Sequence, residues 1–312
     1  MAIARRDMLK IGAACGALAA VQGKALAHGS GTVSTAREAL LEPFSCNVEM
    51  WFRKDNFLQR ISNARAAGFR YIEFWDPKKK AQQGISVEDI AERVRAEGIT
   101  VTSISPGPPN IGDAGNKDAF KLWLPEAIAL AEKLGTDTFN ATGHQNIEGL
   151  TLEQMVNNYV AALETAIPAL EAAGKMMVFE PYNPFNHPGH FINGVHPALE
   201  ISRRVNHPRI KILWDLFHMQ RTDGNLITHM TDGWDQVGYI QFADSPDRHE
   251  PGTGEVAYGP VLQKARELGY AKPFGAELSP TTDNAEAAVE SLLSLSANFD
   301  LSVREPAPAA GA

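Results

Sequence analysis

The sequence predicts a single (β/α)8 barrel, an α/β fold in which eight parallel strands close on themselves inside a ring of helices. Three observations carry that expectation. Between Pro43 and Asn298 a short apolar run, a polar loop and an amphipathic stretch recur eight times, and strands that alternate with helices imply right-handed crossovers and a parallel sheet. Several amphipathic stretches close on a glycine before the next apolar run, at Gly68, Gly98, Gly135, Gly174 and Gly269, where a residue without a Cβ most readily takes the left-handed turn that ends a helix. No Gly-x-Gly-x-x-Gly follows the first apolar run, which removes the main positive sign of an open dinucleotide-binding sheet.

The eight runs are Phe44–Val48, Arg70–Phe74, Thr100–Ile104, Thr136–Asn140, Lys175–Phe179, Ile210–Trp214, Gly238–Phe242 and Pro273–Ala276. Helical stretches such as VEDIAERVRAEGI, FKLWLPEAIALAEKLG and LEQMVNNYVAALETAIPALEAAG lie between them. The helix after the sixth run is poorly marked. Eight units over this length suit a closed barrel, for which roughly 250 residues is typical. The barrel is therefore expected over residues 43–300.

The chain ends read differently. Residues 1–27 begin with the basic pair Arg5-Arg6, continue in an apolar stretch from Met8 to about Val21, and close on Ala25-Leu26-Ala27. That is the three-part layout of an export signal cleaved after Ala27, and the run from Arg5 to Lys10 resembles a twin-arginine motif, which implies the twin-arginine export machinery as a partner and a periplasmic location. Residues 28–42 are expected to be a flexible linker and residues 301–312 a disordered, Pro/Ala-rich tail. Cleavage would move the formal net charge from −8 to −11. So acidic a chain repels a phosphate backbone, which argues against nucleic acid as a partner. Cleavage would also leave Cys46 as the lone cysteine, so that no intrachain disulfide could form. Homo-oligomer formation is left open.

In such a barrel the reactive groups stand at the C-terminal ends of the strands. The fifth run, KMMVFE, ends in Glu180 and the sixth, IKILWD, in Asp215. The seventh, GYIQFAD, carries Gln241 with Asp244 just after, and the eighth, PFGAE, ends in Glu277. Four neighbouring strands thus bring three carboxylates and a carboxamide to one rim. Packed together without a counter-charge, the carboxylates would repel and some would take up protons. One divalent cation removes that conflict, and oxygen-only ligation favours Mg2+ or Mn2+, with Co2+ or Zn2+ as substitutes.

Other residues are candidate substrate contacts. His218 follows Asp215 by three positions, and Arg248, opening RHEPGTGE, could clamp a carboxylate in bidentate fashion. His144 follows the fourth run and is expected to line the mouth; Glu255 lies in the same loop as Arg248. Trp51, Phe52, Trp75 and Phe185, near strand ends, would suit stacking on a sugar ring.

The segments FEPYNPFNHPGHF, LWDLFHMQRTDGNL and IQFADSPDRHEPGTGEVAY resemble the hydroxypyruvate isomerase family, which belongs to the xylose-isomerase-like barrels together with the ketose 3-epimerases. The resemblance runs from about Phe44 to Asn298. It implies a metal held by Glu180, Asp215, Gln241 and Glu277, with Glu180 and Glu277 as the acid/base pair. It also implies an isomerase that interconverts an α-hydroxy ketone and an α-hydroxy aldehyde by proton transfer through an enediolate, acting on a small sugar or keto acid such as hydroxypyruvate. The family's Arg-Asp pair after Glu-x-x-Asn is here Phe185 and Asn186, a departure that favours a neutral sugar over a small anion. A ketose 3-epimerase or keto-sugar lyase would use the same residues. A non-catalytic periplasmic sugar-binding protein would have no need of two opposed bases.

Overall fold

The computed structural model describes residues 34–303; the expected signal over 1–27 and most of the expected tail lie outside the described residues. Eight strands form: β1 (Phe44–Asn47), β2 (Tyr71–Phe74), β3 (Thr100–Ile104), β4 (Thr138–Asn140), β5 (Met176–Phe179), β6 (Ile210–Asp215), β7 (Val237–Phe242) and β8 (Phe274–Ala276). Each pairs in parallel with the next, and β8 returns to β1 through Phe44 opposite Phe274 and Cys46 opposite Ala276. The expected single (β/α)8 barrel is what forms.

Helices α2 (Phe57–Ala67), α3 (Val87–Glu97), α4 (Lys117–Leu134) and α5 (Leu152–Ala173) follow β1 to β4. Gly68, Gly98, Gly135 and Gly174 end them at positive φ, as the sequence predicts. Thr151 caps α5 by accepting from the Gln154 N–H, and the Gln154 side chain accepts the Thr151 N–H in return, satisfying two donors the helix leaves open. After β5 comes α6 (Val195–Val205), and the poorly marked segment after β6 holds two short helices, α7 (Leu216–Thr222) and α8 (Leu226–Asp232). The ring closes with α9 (Tyr258–Glu267) and α10 (Glu286–Asn298).

Two expectations at the edges need correcting. The stretch read as a loose linker, residues 28–42, carries α1 (Thr35–Leu41), which packs against α10 and buries Leu41 completely. The Arg37 guanidinium also donates to the Ala67 carbonyl at 2.9 Å. The tail read as starting at residue 301 has its first residue anchored: Leu301 is buried and its carbonyl accepts from the Arg266 Nε at 3.0 Å. In both places the apolar pattern is too short to read, one Leu40-Leu41 pair in a polar stretch at the start and Leu301 ahead of a Pro/Ala-rich run at the end.

Side chains alternate between the two faces of a strand, and this alternation builds the site. Val178, Leu213 and Tyr239 form a small apolar cluster of their own, separate from the large core between strands and helices. Two residues further along the same strands, or just past them, come Glu180, Asp215 and Gln241. Glu277 stands in the same relation to Gly275. An apolar layer is thus overlaid by a polar one at the C-terminal mouth, the end at which barrels of this kind place their chemistry.

Candidate active site

The mouth encloses a cavity of about 340 Å³ whose lining includes Glu180, Gln241, Glu277, Arg248, Trp75 and His187. Asp215 lies just behind, almost fully buried. Arg248 joins the walls: its Nη2 donates to Asp215 Oδ2 at 3.0 Å and to Glu277 Oε2 at 2.8 Å, and its Nε reaches the Glu277 carbonyl at 3.2 Å. The other oxygen of Glu277 accepts the indole N–H of Trp75 at 2.8 Å. Glu180 Oε2 accepts from Asn140 at 3.2 Å, while Thr142 takes the Glu180 N–H at 2.8 Å and donates its own hydroxyl to Asn140 Oδ1. Asn140 and Thr142 therefore orient Glu180. Neither stood out in the sequence, where they read as ordinary polar residues at and just after the end of a short strand.

His218 sits deeper than expected. Its side chain is 1% exposed, with Nε2 3.4 Å from Glu180 Oε1 and 3.5 Å from Asp215 Oδ2. Glu180, Asp215 and His218 offer donor atoms all within 4.8 Å of one another, a grouping of metal-ligating composition. The tautomer can be argued from neighbours. Asn183 Oδ1 is occupied by the N–H groups of Phe185 and Asn186 at 3.1 and 2.9 Å, so its amide nitrogen faces His218 Nδ1 at 2.6 Å. Nδ1 accepts and the ring proton sits on Nε2, which lies near the two carboxylates but is buried without a hydrogen-bond partner among the described residues. Burial, then the Arg248 charge, pushes the His218 pKa well below its usual value, so the ring stays neutral.

Burial and the neighbouring Glu277 and Asp215 carboxylates raise Glu180 well above the usual carboxylate range. Burial raises Asp215 to about 6, with Arg248 pulling the other way. These are the shifts expected of carboxylates crowded into a site short of positive charge.

His144, Glu255 and three of the four aromatic candidates are placed differently from expectation. His144 does not line the mouth. It is fully buried, its Nε2 donates to the Glu180 carbonyl at 2.8 Å, and its ring packs against Tyr159, Tyr182 and Phe191. Burial lowers it to about 3. It supports the backbone of Glu180 from behind. Glu255 is exposed and outside the cavity; its backbone N–H donates to the Ser245 carbonyl and its carboxylate accepts from the Ser245 hydroxyl at 3.3 Å. It holds the loop rather than a ligand. Of the aromatics, Trp75 lines the cavity, Trp51 is buried beneath it with its N–H on the Ala276 carbonyl, and Phe52 packs against the core. Phe185 is 69% exposed, outside the cavity and under the Arg221 guanidinium.

The loop that delivers Arg248 is built around Asp244. Its carboxylate accepts the N–H groups of Gly252, Gly254 and Val256 at 2.8, 2.9 and 3.1 Å. A Cβ on Gly254 would meet the Ser245 carbonyl oxygen at 1.9 Å, so the glycine is required by the close approach. Arg248 itself adopts φ 61°, a left-handed backbone that side chains rarely take. Its N–H and C=O are pinned by Asp244 and Ser279.

Glu73, which the sequence reading passed over, completes the polar layer. It is 2% exposed, and its Oε1 accepts from Asn47 at 3.0 Å and Gln241 at 2.7 Å while Oε2 meets the Tyr239 hydroxyl at 2.5 Å. Burial and the nearby Glu277 raise it to about 8. Tyr239 is also 2.8 Å from the Thr102 hydroxyl, so when Glu73 carries a proton on Oε2 it can donate to the Tyr239 oxygen while Tyr239 donates to Thr102, and Oε1 remains the acceptor.

Comparison with known proteins agrees with this architecture. The family described as xylose isomerase-like TIM barrel matches residues 61–296. Hydroxypyruvate isomerase of Escherichia coli strain K12 is 30% identical over 247 residues, covering 77% of this chain and 94% of that protein. The 2-oxo-tetronate isomerase of Cupriavidus necator is 27% identical over 245 residues, covering 76% and 92%. Among solved structures, AP endonuclease, family 2, from Brucella melitensis superimposes with a TM-score of 0.72 at 26% identity, covering 78% of this chain and 95% of that one. With the barrel, the C-terminal mouth and these relatives in hand, the chain is an isomerase that belongs to the hydroxypyruvate isomerase family of the xylose isomerase-like TIM barrels.

Proposed function

We propose that the protein is a divalent-metal-dependent isomerase that interconverts an α-hydroxy ketone and an α-hydroxy aldehyde, hydroxypyruvate and tartronate semialdehyde or a closely related sugar, with Glu180 and Glu277 as the acid/base pair. One observation carries the reading. Gln241 Oε1 is buried and finds no hydrogen-bond donor among the described residues, because its amide nitrogen is committed to Glu73. A buried acceptor left unpaired is costly, and here it sits in the same polar layer as Glu180, Asp215 and Glu277. The donor set fits a hard cation held by Glu180, Asp215, Gln241 and Glu277, Mg2+ or Mn2+ above Co2+ or Zn2+. His218, with its proton on Nε2, stands beside Glu180 and Asp215 without hydrogen bonding to either, and that proton keeps it out of the ligand set. When bound, such an ion supplies Lewis acidity to the substrate's carbonyl and offsets the crowded negative charge.

The chain's own groups do the rest. Glu180 and Glu277 follow β5 and β8, three strands apart in a ring of eight, so they face the substrate carbon from different walls. One removes the proton beside the carbonyl. Return of a proton to the neighbouring carbon completes isomerisation; return to the opposite face of the same carbon would be epimerisation. Trp75 and Arg248 hold Glu277, and Asn140 and Thr142 hold Glu180, so neither carboxylate must reorganise to react. Arg248, on the cavity wall, is placed to meet an anionic end of the substrate.

Metal removal tests the reading. Protein stripped with EDTA is expected to lose turnover of hydroxypyruvate and to regain it with Mn2+. Mn2+ at a hundred times its Kd should stabilise the fold by about 2.7 kcal/mol, read as a rise in Tm. Full activity after stripping would overturn metal dependence. The basic, apolar and small-residue order of residues 1–27 supports export to the periplasm by the twin-arginine route. The secreted form should then start at His28 by N-terminal sequencing, and an intact Met1 in periplasmic fractions would count against cleavage.

A further inference from the structure

We propose that Glu73 is the positioning residue of the metal site: it holds Gln241 in the one orientation that presents a carbonyl oxygen to the cation. The inference rests on the metal reading above and extends it to a strand on the far side of the barrel. A carboxamide can present either its oxygen or its NH2 group, and the strand fixes only the side chain's direction. Glu73 settles the choice. Its Oε1 accepts the Gln241 Nε2–H at 2.7 Å, which leaves the amide oxygen on the other branch of a side chain that lines the cavity, buried and with no donor among the described residues.

Glu73 is itself held against rotation. Asn47 donates to the same Oε1 at 3.0 Å, and the Tyr239 hydroxyl, 2.8 Å from the Thr102 hydroxyl, engages Oε2. The packing leaves room for this clamp at one further place. Gly275, on the strand that leads to Glu277, would bring a Cβ to 2.4 Å from Glu73 Oε2 and 2.8 Å from Gln241 Cγ. Strands β1, β2, β3, β7 and β8 thus meet at one carboxylate, Oε1 accepting from β1 and β7 while Oε2 is held by Tyr239, which Thr102 on β3 backs, and is closely approached by Gly275 on β8. What that carboxylate does is orient a ligand.

The test compares variants that keep or remove the acceptor, with Mn2+ affinity of the folded protein measured by titration calorimetry. Glu73→Met removes it and is expected to weaken Mn2+ binding about 10- to 100-fold, the usual loss when a ligand's outer partner is deleted. Glu73→Gln keeps an oxygen for Asn47 and Gln241 and can donate to Tyr239, so its affinity should stay within about threefold of wild type, a rescue that points to orientation rather than charge. In a Gln241→Ala background, Glu73→Met should cause no additional loss, because the effect runs through Gln241. If Glu73→Met does not fold, Gly275→Ala takes its place, since the added methyl must push Glu73 or Gln241 aside and weaken binding in the same way. Equal losses in the Met and Gln variants, an undiminished loss in the Gln241→Ala background, or unchanged affinity in Glu73→Met would each overturn the inference. Wild-type protein that binds no Mn2+ would instead sink the metal reading, and the inference with it.

Discussion

Glu277→Gln is expected to lower turnover by between about a hundredfold and ten-thousandfold, the range of a lost general acid or base, while leaving the fold intact. The substitution keeps the side chain's length and one oxygen, so Trp75 or Arg248 retains an acceptor. Arg248 also keeps its contact with Asp215. What disappears is a carboxylate able to take up and release the substrate's proton. The comparison to make is kcat against Mn2+ affinity in the same variant. A fall in kcat with affinity nearly preserved assigns Glu277 to proton transfer. A fall in both by equal factors would reassign it to the ligand set alone.

Arg248→Met should have the largest effect on stability, and only in metal-free protein. The arginine is the positive charge between Asp215, whose side chain is 1% exposed, and Glu277, at 6%. Its removal leaves two buried carboxylates facing each other and Glu180 with no cation between them. Breaking a buried pair from one side costs about 3–5 kcal/mol, a fall in Tm of roughly 10 °C for a domain of this size. Saturating Mn2+ would restore the counter-charge and with it most of the loss. The wild-type protein, already neutralised by Arg248, should gain less from Mn2+ than the variant does. An equal Tm deficit with and without Mn2+ would show that Arg248 acts through packing, for example over the Phe217 ring 4.9 Å away, rather than through charge.

The barrel was legible because its signals are local and repeated. Each strand's apolar run and each glycine stop can be read without knowing the neighbours, and the strand bounds came within two residues of those formed. The same holds for Glu180, Asp215, Gln241 and Glu277, whose places follow from the alternation along single strands. What depended on contact between distant segments was not legible. His144 and Glu255 both follow strands, yet one turns back under Glu180 and the other faces solvent; nothing in their own segments sets that direction. Glu73 escaped notice because a single acid inside YIEF gives no sign that Gln241, 168 positions on, donates to it. The available clue was alternation: Ile72 and Phe74 pack in the outer core, so Glu73 faces the barrel interior, where an acid needs a reason.

Proton exchange tests the central claim most directly. Metal-loaded protein in D2O is given hydroxypyruvate and, separately, ketohexoses and 3-keto-glycosides, and deuterium at the carbon beside the carbonyl is followed by NMR. Two opposed carboxylates working on a small α-hydroxy ketone predict incorporation with at least one of these, abolished in Glu180→Gln and Glu277→Gln and absent after EDTA. Deuterium in the product at the original carbon with inverted configuration would mark an epimerase built on the same site. Tight binding of the sugars with no exchange in the wild-type protein would contradict the account.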